Sequence, residues 1–158
     1  MFSNLLDLFR IIITMGAFFT GYLIGYNGDQ YNPEAQLHIM IPMVIVAIAG
    51  ISGLEGLLAG KKAAAAKGFV SDGNYQRQSA IALLSYAVIS LVVCFCNWGI
   101  KAELTILFAF FFFFLFSAIN HTMDAILRKN YRWQNINRPF LVLLLIAGMI
   151  HPVIMVLR

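Results

Sequence analysis

The sequence predicts an all-α fold, an integral membrane bundle of five transmembrane helices with a cytoplasmic N-terminus and an external C-terminus. Three observations predict it. Apolar segments recur near residues 5–26, 39–60, 80–98, 104–127 and 139–157. Each is close to the roughly 20 residues needed to cross a hydrocarbon core about 30 Å thick. The composition is 61% hydrophobic and only 11% charged over 158 residues, far from the balance of a soluble domain. The basic residues are also segregated: Lys61, Lys62, Lys67 and Arg77 fall in one connection, and Arg128, Lys129, Arg132 and Arg138 in another. With five spans these two connections share one side, together with Arg10. Short basic loops stay in the cytoplasm, which fixes the orientation. Four or six spans would break that agreement.

Five spans in so short a chain leave no room for a soluble core, so residues 1–158 are expected to form a single transmembrane domain. The formal charge of +4 does not indicate nucleic acid, because the basic residues are split between loops and no aromatic and basic surface accompanies them. The N-terminus lacks the pattern of a cleavable signal, since Asp7 precedes Arg10 and the first apolar run ends in Tyr26-Asn27-Gly28-Asp29. It is read as the first span.

Each span has its own character. In the first, Gly21 and Gly25 form a small-xxx-small pair that admits close helix approach. In the second, Ala49, Ser52, Gly53, Gly56 and Gly60 fall on one helix face, taking about 100° per residue. That face packs inside the bundle or forms a seam to a second copy or another membrane protein, and the first use is favoured because five helices must pack on something. Lys61 to Lys67 extend the second helix, and Gly68 is placed to cap it. Cys94 and Cys96, in the third span, are ~200° apart around a helix. They cannot bond each other, and both read as small buried apolar residues. The fourth span holds Phe108 and Phe110 to Phe114, a run that marks no single face. In the fifth, Pro139 suits a first turn, and Pro152 predicts a kink.

The chemistry-bearing residues gather at the cytoplasmic end. Ser117, Asn120, His121, Asp124 and Arg128 occupy one arc of the fourth helix. Glu55 lies at similar depth in the second. Ionisable groups within a span face the bundle interior or water, so Glu55, His121 and Asp124 are expected to converge. Arg77, Arg128 and Arg138 would add positive charge, and Asn135 a hydrogen-bonding amide. The leading expectation is a polar cavity that binds or passes a small polar or anionic molecule or a lipid headgroup. A second is a membrane-embedded enzyme with a metal on Glu55, His121 and Asp124, although one histidine without cysteine is a poor zinc set. A third is a non-catalytic assembly subunit using the small-residue face. In the bland alternative, Asp124 pairs with Arg128, and Glu55 with a loop arginine. His38 is expected to pair with Glu34 or water. His151 is a secondary candidate, either a contact at depth or the partner of a carbonyl freed by Pro152. No nucleophile motif, nucleotide loop or haem signature is present, and no cofactor is expected.

The second half resembles an uncharacterised bacterial family of small multi-span membrane proteins. The similar parts are Gly68-Phe69, Tyr75-Gln76-Arg77-Gln78-Ser79-Ala80, His121, Asn130-Tyr131 and Asn135, within residues 53–157. Proline-glycine elements associated with that family's last loop are replaced by Arg132-Trp133-Gln134 and Ile136-Asn137-Arg138. The resemblance implies no activity. It implies a bacterial inner membrane and some importance for the region around His121 and the Asn-rich loop.

Overall fold

The computed structural model of the chain describes residues 2–66, 68 and 73–158, and every described element is helical. In order they are α1 (Phe2–Gly25), α2 (Pro33–Ile45), a π-helical turn (Val46–Gly50), α3 (Ile51–Ala66), α4 (Gly73–Phe95), α5 (Ile100–Leu127) and α6 (Trp133–Leu157). The second to fourth of these follow one another without a loop as one rod, which kinks at Ala59 (φ −132°, ψ 22°). Five stretches are long and apolar enough to cross a membrane: Leu5–Gly25, Pro33–Ala65, Gly73–Phe95, Ile100–Leu127 and Asn135–Leu157. Lys67 and residues 69–72 of the loop before α4, Phe69 among them, lie outside the described residues.

The helices start earlier than the apolar runs, because a helix begins at its cap and not where hydrophobicity begins. The rod starts at Pro33 instead of residue 39. The Asn32 side chain accepts from the Ala35 N–H at 3.0 Å, and Pro33 fits the first turn, where its missing N–H is no loss. At the other end of α3, Gly68 has φ +74° and donates its N–H to Ala65 O at 3.1 Å, the left-handed closure that glycine allows without strain.

The rod is the centre of the bundle. Over its most apolar stretch 56% of residues are buried, against 17–33% for the other four spans. Helix α1 packs along α2, α3 along α4, and α5 along α6. The core joins Leu37, Met40, Ile41, Val44 and Ile45 of the rod to Leu107, Phe110 and Phe114 of α5 and Val142 and Met149 of α6. The phenylalanine run divides as a helix requires. Phe110 and Phe114, four apart, are buried, while Phe108, Phe112 and Phe116 face outward.

Glycines set the closest approaches. A Cβ on Gly53 would stand 2.8 Å from Ala80 O, and one on Gly56 2.8 Å from Ala80 Cβ. Gly53, Gly56 and Gly60 of the small-residue face thus pack on α4 within the chain, whereas Ser52 lines a cavity on another side. On α1, a side chain at Gly21 would collide with Met40, and one at Gly25 with Gln36.

Three prolines lie inside helices, Pro42, Pro139 and Pro152. Helix α6 begins at Trp133, so Pro139 is its seventh residue and not in the first turn as expected. Each such proline releases a carbonyl four residues back, and a neighbouring helix meets those freed by Pro152 and Pro42. Pro152 frees Gly148 O, which accepts from Tyr22 Oη at 2.9 Å. This corrects the expectation that His151 would fill that role. Pro42 frees His38 O, and the Cys94 thiol of α4 reaches it at 3.8 Å. The π-helical turn begins four residues beyond Pro42.

Candidate functional site

Helices α1 and α6 stand apart at the end of the bundle that carries the basic loops, leaving a cavity of about 460 Å³. Both walls are single helical stripes. Asp7, Arg10, Ile11, Thr14, Met15 and Phe18 come from α1, and Asn137, Arg138, Leu141, Leu144, Leu145 and Gly148 from α6. Such spacing puts each set on one face. Ile48 and Ser52 of the rod and Phe114 of α5 form the floor. The polar side chains cluster at the mouth. The far end is apolar and closes where Phe18 lies against Gly148. From Asn137 to Gly148 the wall runs roughly 16 Å at 1.5 Å per residue.

Electrostatics at the mouth centres on two arginines. Arg10 pairs with Asp7, one turn earlier on α1, and donates to Glu55 Oε2 at 2.7 Å. Glu55 is 2% exposed, a burial that a carboxylate tolerates when it is paired and hydrogen-bonded. One partner is thus Arg10 of the first span. The Arg10 Nε is buried without a hydrogen-bond partner among the described residues. Arg138 lies over the Phe114 ring, 5.3 Å from its centroid, a favourable cation–π distance. Among the described residues it has no ion pair.

The residues around the end of α5 form a different structure. His121 Nδ1 donates to Asn135 Oδ1 at 2.7 Å. Asn135 Nδ2 donates to Asn130 O at 3.0 Å, and Asn130 Nδ2 to Asp124 Oδ2 at 2.6 Å. Arg128 Nε stands 3.5 Å from Asp124 Oδ1, so the i,i+4 pair forms. Asn130 also reaches Gly68 O at 3.5 Å, and Arg132 donates to Ala65 O at 3.0 Å. This network clips the α5–α6 turn to the end of α3. His121 and Asp124 are buried and Asn135 fully so. Arg77, Asn120 and Arg128 face outward. The single polar arc of α5 is therefore split, with His121 and Asp124 inward and Asn120 and Arg128 outward. Of the residues expected to line one cavity, Arg138 lines it and Glu55 anchors its mouth. His121, Asp124 and Asn135 serve the clip. Among the described residues no three His, Cys, Asp or Glu side chains are arranged to hold a metal, so the set of Glu55, His121 and Asp124 does not assemble as a metal site.

Sequence comparison places the chain. It belongs to the DUF6790 family, a family of unknown function, which matches residues 7–158. The match agrees with the expectation of an uncharacterised family and covers every helix from α1 to α6. No curated protein and no solved structure matches the chain.

The opposite end of this DUF6790 chain holds residues that sequence reasoning missed. His38 Nδ1 meets Glu103 Oε1 of α5 at 2.6 Å, and not Glu34. Cys94 Sγ stands 3.7 Å from the other ring nitrogen, Nε2. Cys94 is half-buried, whereas Cys96 is exposed, so the two cysteines are not both buried apolar filler. Nearby, Tyr31 Oη donates to Gln36 Oε1 at 2.7 Å and lies 3.3 Å from His151 Nδ1. Burial, and then the neighbouring Tyr26 and Tyr22, push the Tyr31 phenol up to about 12. The available signal was Glu103 itself. An acid in the first turn of a long apolar helix is stabilised by the helix N-terminus, and a histidine at the same depth is its natural partner.

Proposed function

We propose that the chain is a multi-pass membrane protein that binds an anionic amphiphile in the cavity between α1 and α6. Its basic end would lie in the cytoplasm of a bacterial cell and its membrane would be the inner one. The support for membrane placement is five spans of sufficient length together with the positive-inside bias of the loops. The observation that carries the ligand class is the polarity gradient of the cavity. Arg10 and Arg138 stand at the mouth, and an apolar channel of Ile11, Met15, Leu141, Leu144 and Leu145 runs behind them. Its volume suits a small ligand. An open guanidinium prefers a carboxylate or phosphate oxygen, which it can engage with two donors. The mouth also carries Asp7 and Glu55, which Arg10 already engages. The unmatched donors are Arg10 Nε and the Arg138 guanidinium, so a head with one negative charge suits it best. Binding and passage across the membrane are both compatible with this site.

The test compares a fatty acid with the fatty alcohol of the same chain length, each added to detergent-purified protein and read by native mass spectrometry and thermal shift. Retention of the acid, with about tenfold weaker retention by Arg138→Gln, is expected, since a charge-assisted contact contributes about 1.5–3 kcal/mol. Equal binding of acid and alcohol, or none of either, would overturn the reading. The reading of the chain as a metal enzyme has no support among the described residues, for want of a ligand set.

A further inference from the structure

At the end of the bundle away from the basic loops, three helices bring Cys94 (α4), His38 (α2) and Glu103 (α5) into line. The geometry points to a thiol nucleophile, with Cys94 taking an acyl group from an ester or thioester, His38 acting as general base and Glu103 positioning the imidazole. The order of atoms is what such chemistry requires. Sγ faces Nε2 at 3.7 Å, and Nδ1 faces the carboxylate at 2.6 Å. A carboxylate on Nδ1 holds that nitrogen protonated and leaves Nε2 free to accept the thiol proton.

A second observation sits on the other side of the carboxylate. Glu103 is 2% exposed, yet its Oε2 has no hydrogen-bond partner among the described residues. A buried oxygen left so is costly, and such a group calls for a donor from a ligand or water. Glu103 and His38 both line a pocket of about 330 Å³, walled also by Asn32, Glu34, Asn97 and Gly99. The pocket meets the first turn of α5, a helix of 28 residues. The leading N–H groups of a helix lack intrahelical acceptors and favour developing negative charge. The pocket can hold a water or an alcohol or amine acceptor beside His38 and Glu103, where the start of α5 favours the charge that the acyl oxygen gains.

The steps balance. His38 Nε2 takes the thiol proton as Sγ bonds to the acyl carbon. The bond from that carbon to the leaving oxygen or sulfur breaks with its electron pair, and the Nε2 proton passes to the leaving alcohol or thiol. Water then gives a proton to Nε2, its oxygen bonds to the acyl carbon, and the C–S bond breaks. The thiol is restored and a free acid leaves. Dithiol redox chemistry does not fit, because Cys96 is the only other cysteine and sits two residues along on a different face of the chain.

Cys96 is a built-in control. It is more exposed than Cys94 and has no histidine partner among the described residues. Wild-type protein, in detergent, is alkylated with iodoacetamide from pH 5 to 9, and each cysteine is quantified by peptide mass spectrometry. Titratable groups facing His38 are Glu103, Cys94 and, on its own helix, Glu34. Cys94 should react about tenfold faster than Cys96 at neutral pH, since His38 can take its proton as the sulfur attacks, whereas an unassisted thiol of pKa about 8.5 reacts only through the few per cent that is thiolate there. His38→Gln should bring Cys94 down to the Cys96 rate. Glu103→Gln should shift the pH profile of Cys94 and leave that of Cys96 in place. p-Nitrophenyl acetate and an acetyl thioester should each leave an acetyl group on Cys94, and the reagent that acylates faster names the leaving-group class. Alkylation of Cys94 no faster than Cys96 in the wild type, or the absence of an acetyl adduct from both donors, would overturn the proposal whether or not the variants fold.

Discussion

His121 and His38 occupy opposite ends of the bundle and make the same first contact, Nδ1 to a side-chain oxygen, at 2.7 and 2.6 Å. Their surroundings differ. His121 is 6% exposed, and its partner Asn135 passes the bonding on to Asn130 and Asp124, so the network is met from within the chain. The His38 side chain is 39% exposed. Its second nitrogen faces a thiol, and its carboxylate keeps one buried oxygen unmatched beside a polar pocket. A polar network whose valences are all met holds helices together. One with an unmatched group at a cavity is equipped for something that arrives from outside. Buried polar residues near a membrane span are functional by default, but this default does not separate the two cases. The count of satisfied atoms does.

The largest effect that tests this contrast is expected at the clip. Asn135→Ala removes both the acceptor of His121 and the donor to Asn130 O. Breaking buried bonds costs about 1–3 kcal/mol each, so a loss of roughly 3 kcal/mol is expected in denaturant titration of the protein in mixed micelles. A loss below about 1 kcal/mol would show that the clip is not what fastens α6. Next is the cavity. At a fatty acid concentration near one hundred times Kd, wild-type protein should gain about 2.7 kcal/mol of stability. Arg138→Gln should forfeit about half of it and should change little without ligand. A smaller change still is expected at Glu103. Glu103→Gln keeps an acceptor for His38 and trades a charge-assisted bond against relief of a buried charge. The net change should stay within about 1 kcal/mol, well short of Asn135→Ala. A larger loss would make the His38 network a second clip.

Much of the fold was legible because hydropathy is a local property. Five apolar runs required five helices, and the buried small-residue face of the rod followed from Gly53 and Gly56. The partners of the polar residues were not legible, since they are set by which helices neighbour one another. His38 and Glu103 are 65 positions apart, and Arg10 and Glu55 are 45 apart. Arg10 was read only as a marker of orientation, although a buried Glu55 demands a cation and Arg10, like Arg138, is a basic residue within a span at that end. The polar arc of α5 was legible as an arc. Its division between an inner and an outer side was not, because that division depends on where α3 and α6 end. Pro152 was legible as a break in its helix's bonding, Pro42 was not singled out, and the groups that meet their freed carbonyls, Tyr22 and Cys94, belong to other helices.

The smallest expected effect concerns the tyrosine cluster beside His151, and its sign can be worked out. Tyr31 keeps its proton up to about 12 in the folded chain, with burial as the main cause, against about 10 for an exposed phenol. Between those values the unfolded chain has released the proton and the folded chain still holds it. Stability therefore falls as pH rises through that window, and the contribution is intact below about pH 10. Ultraviolet titration should show one tyrosine ionising late. In Tyr31→Phe that late step should vanish, and the alkaline loss of stability between about pH 10 and 12 should flatten. The stacking of Tyr26 on Tyr31, with centroids 4.5 Å apart, would survive the substitution, so a change at neutral pH should reflect the lost contacts of the hydroxyl with Gln36 and His151. If the late step persists in Tyr31→Phe, another phenol is the buried one, and the tie between Tyr31, Gln36 and His151 is looser than the distances indicate.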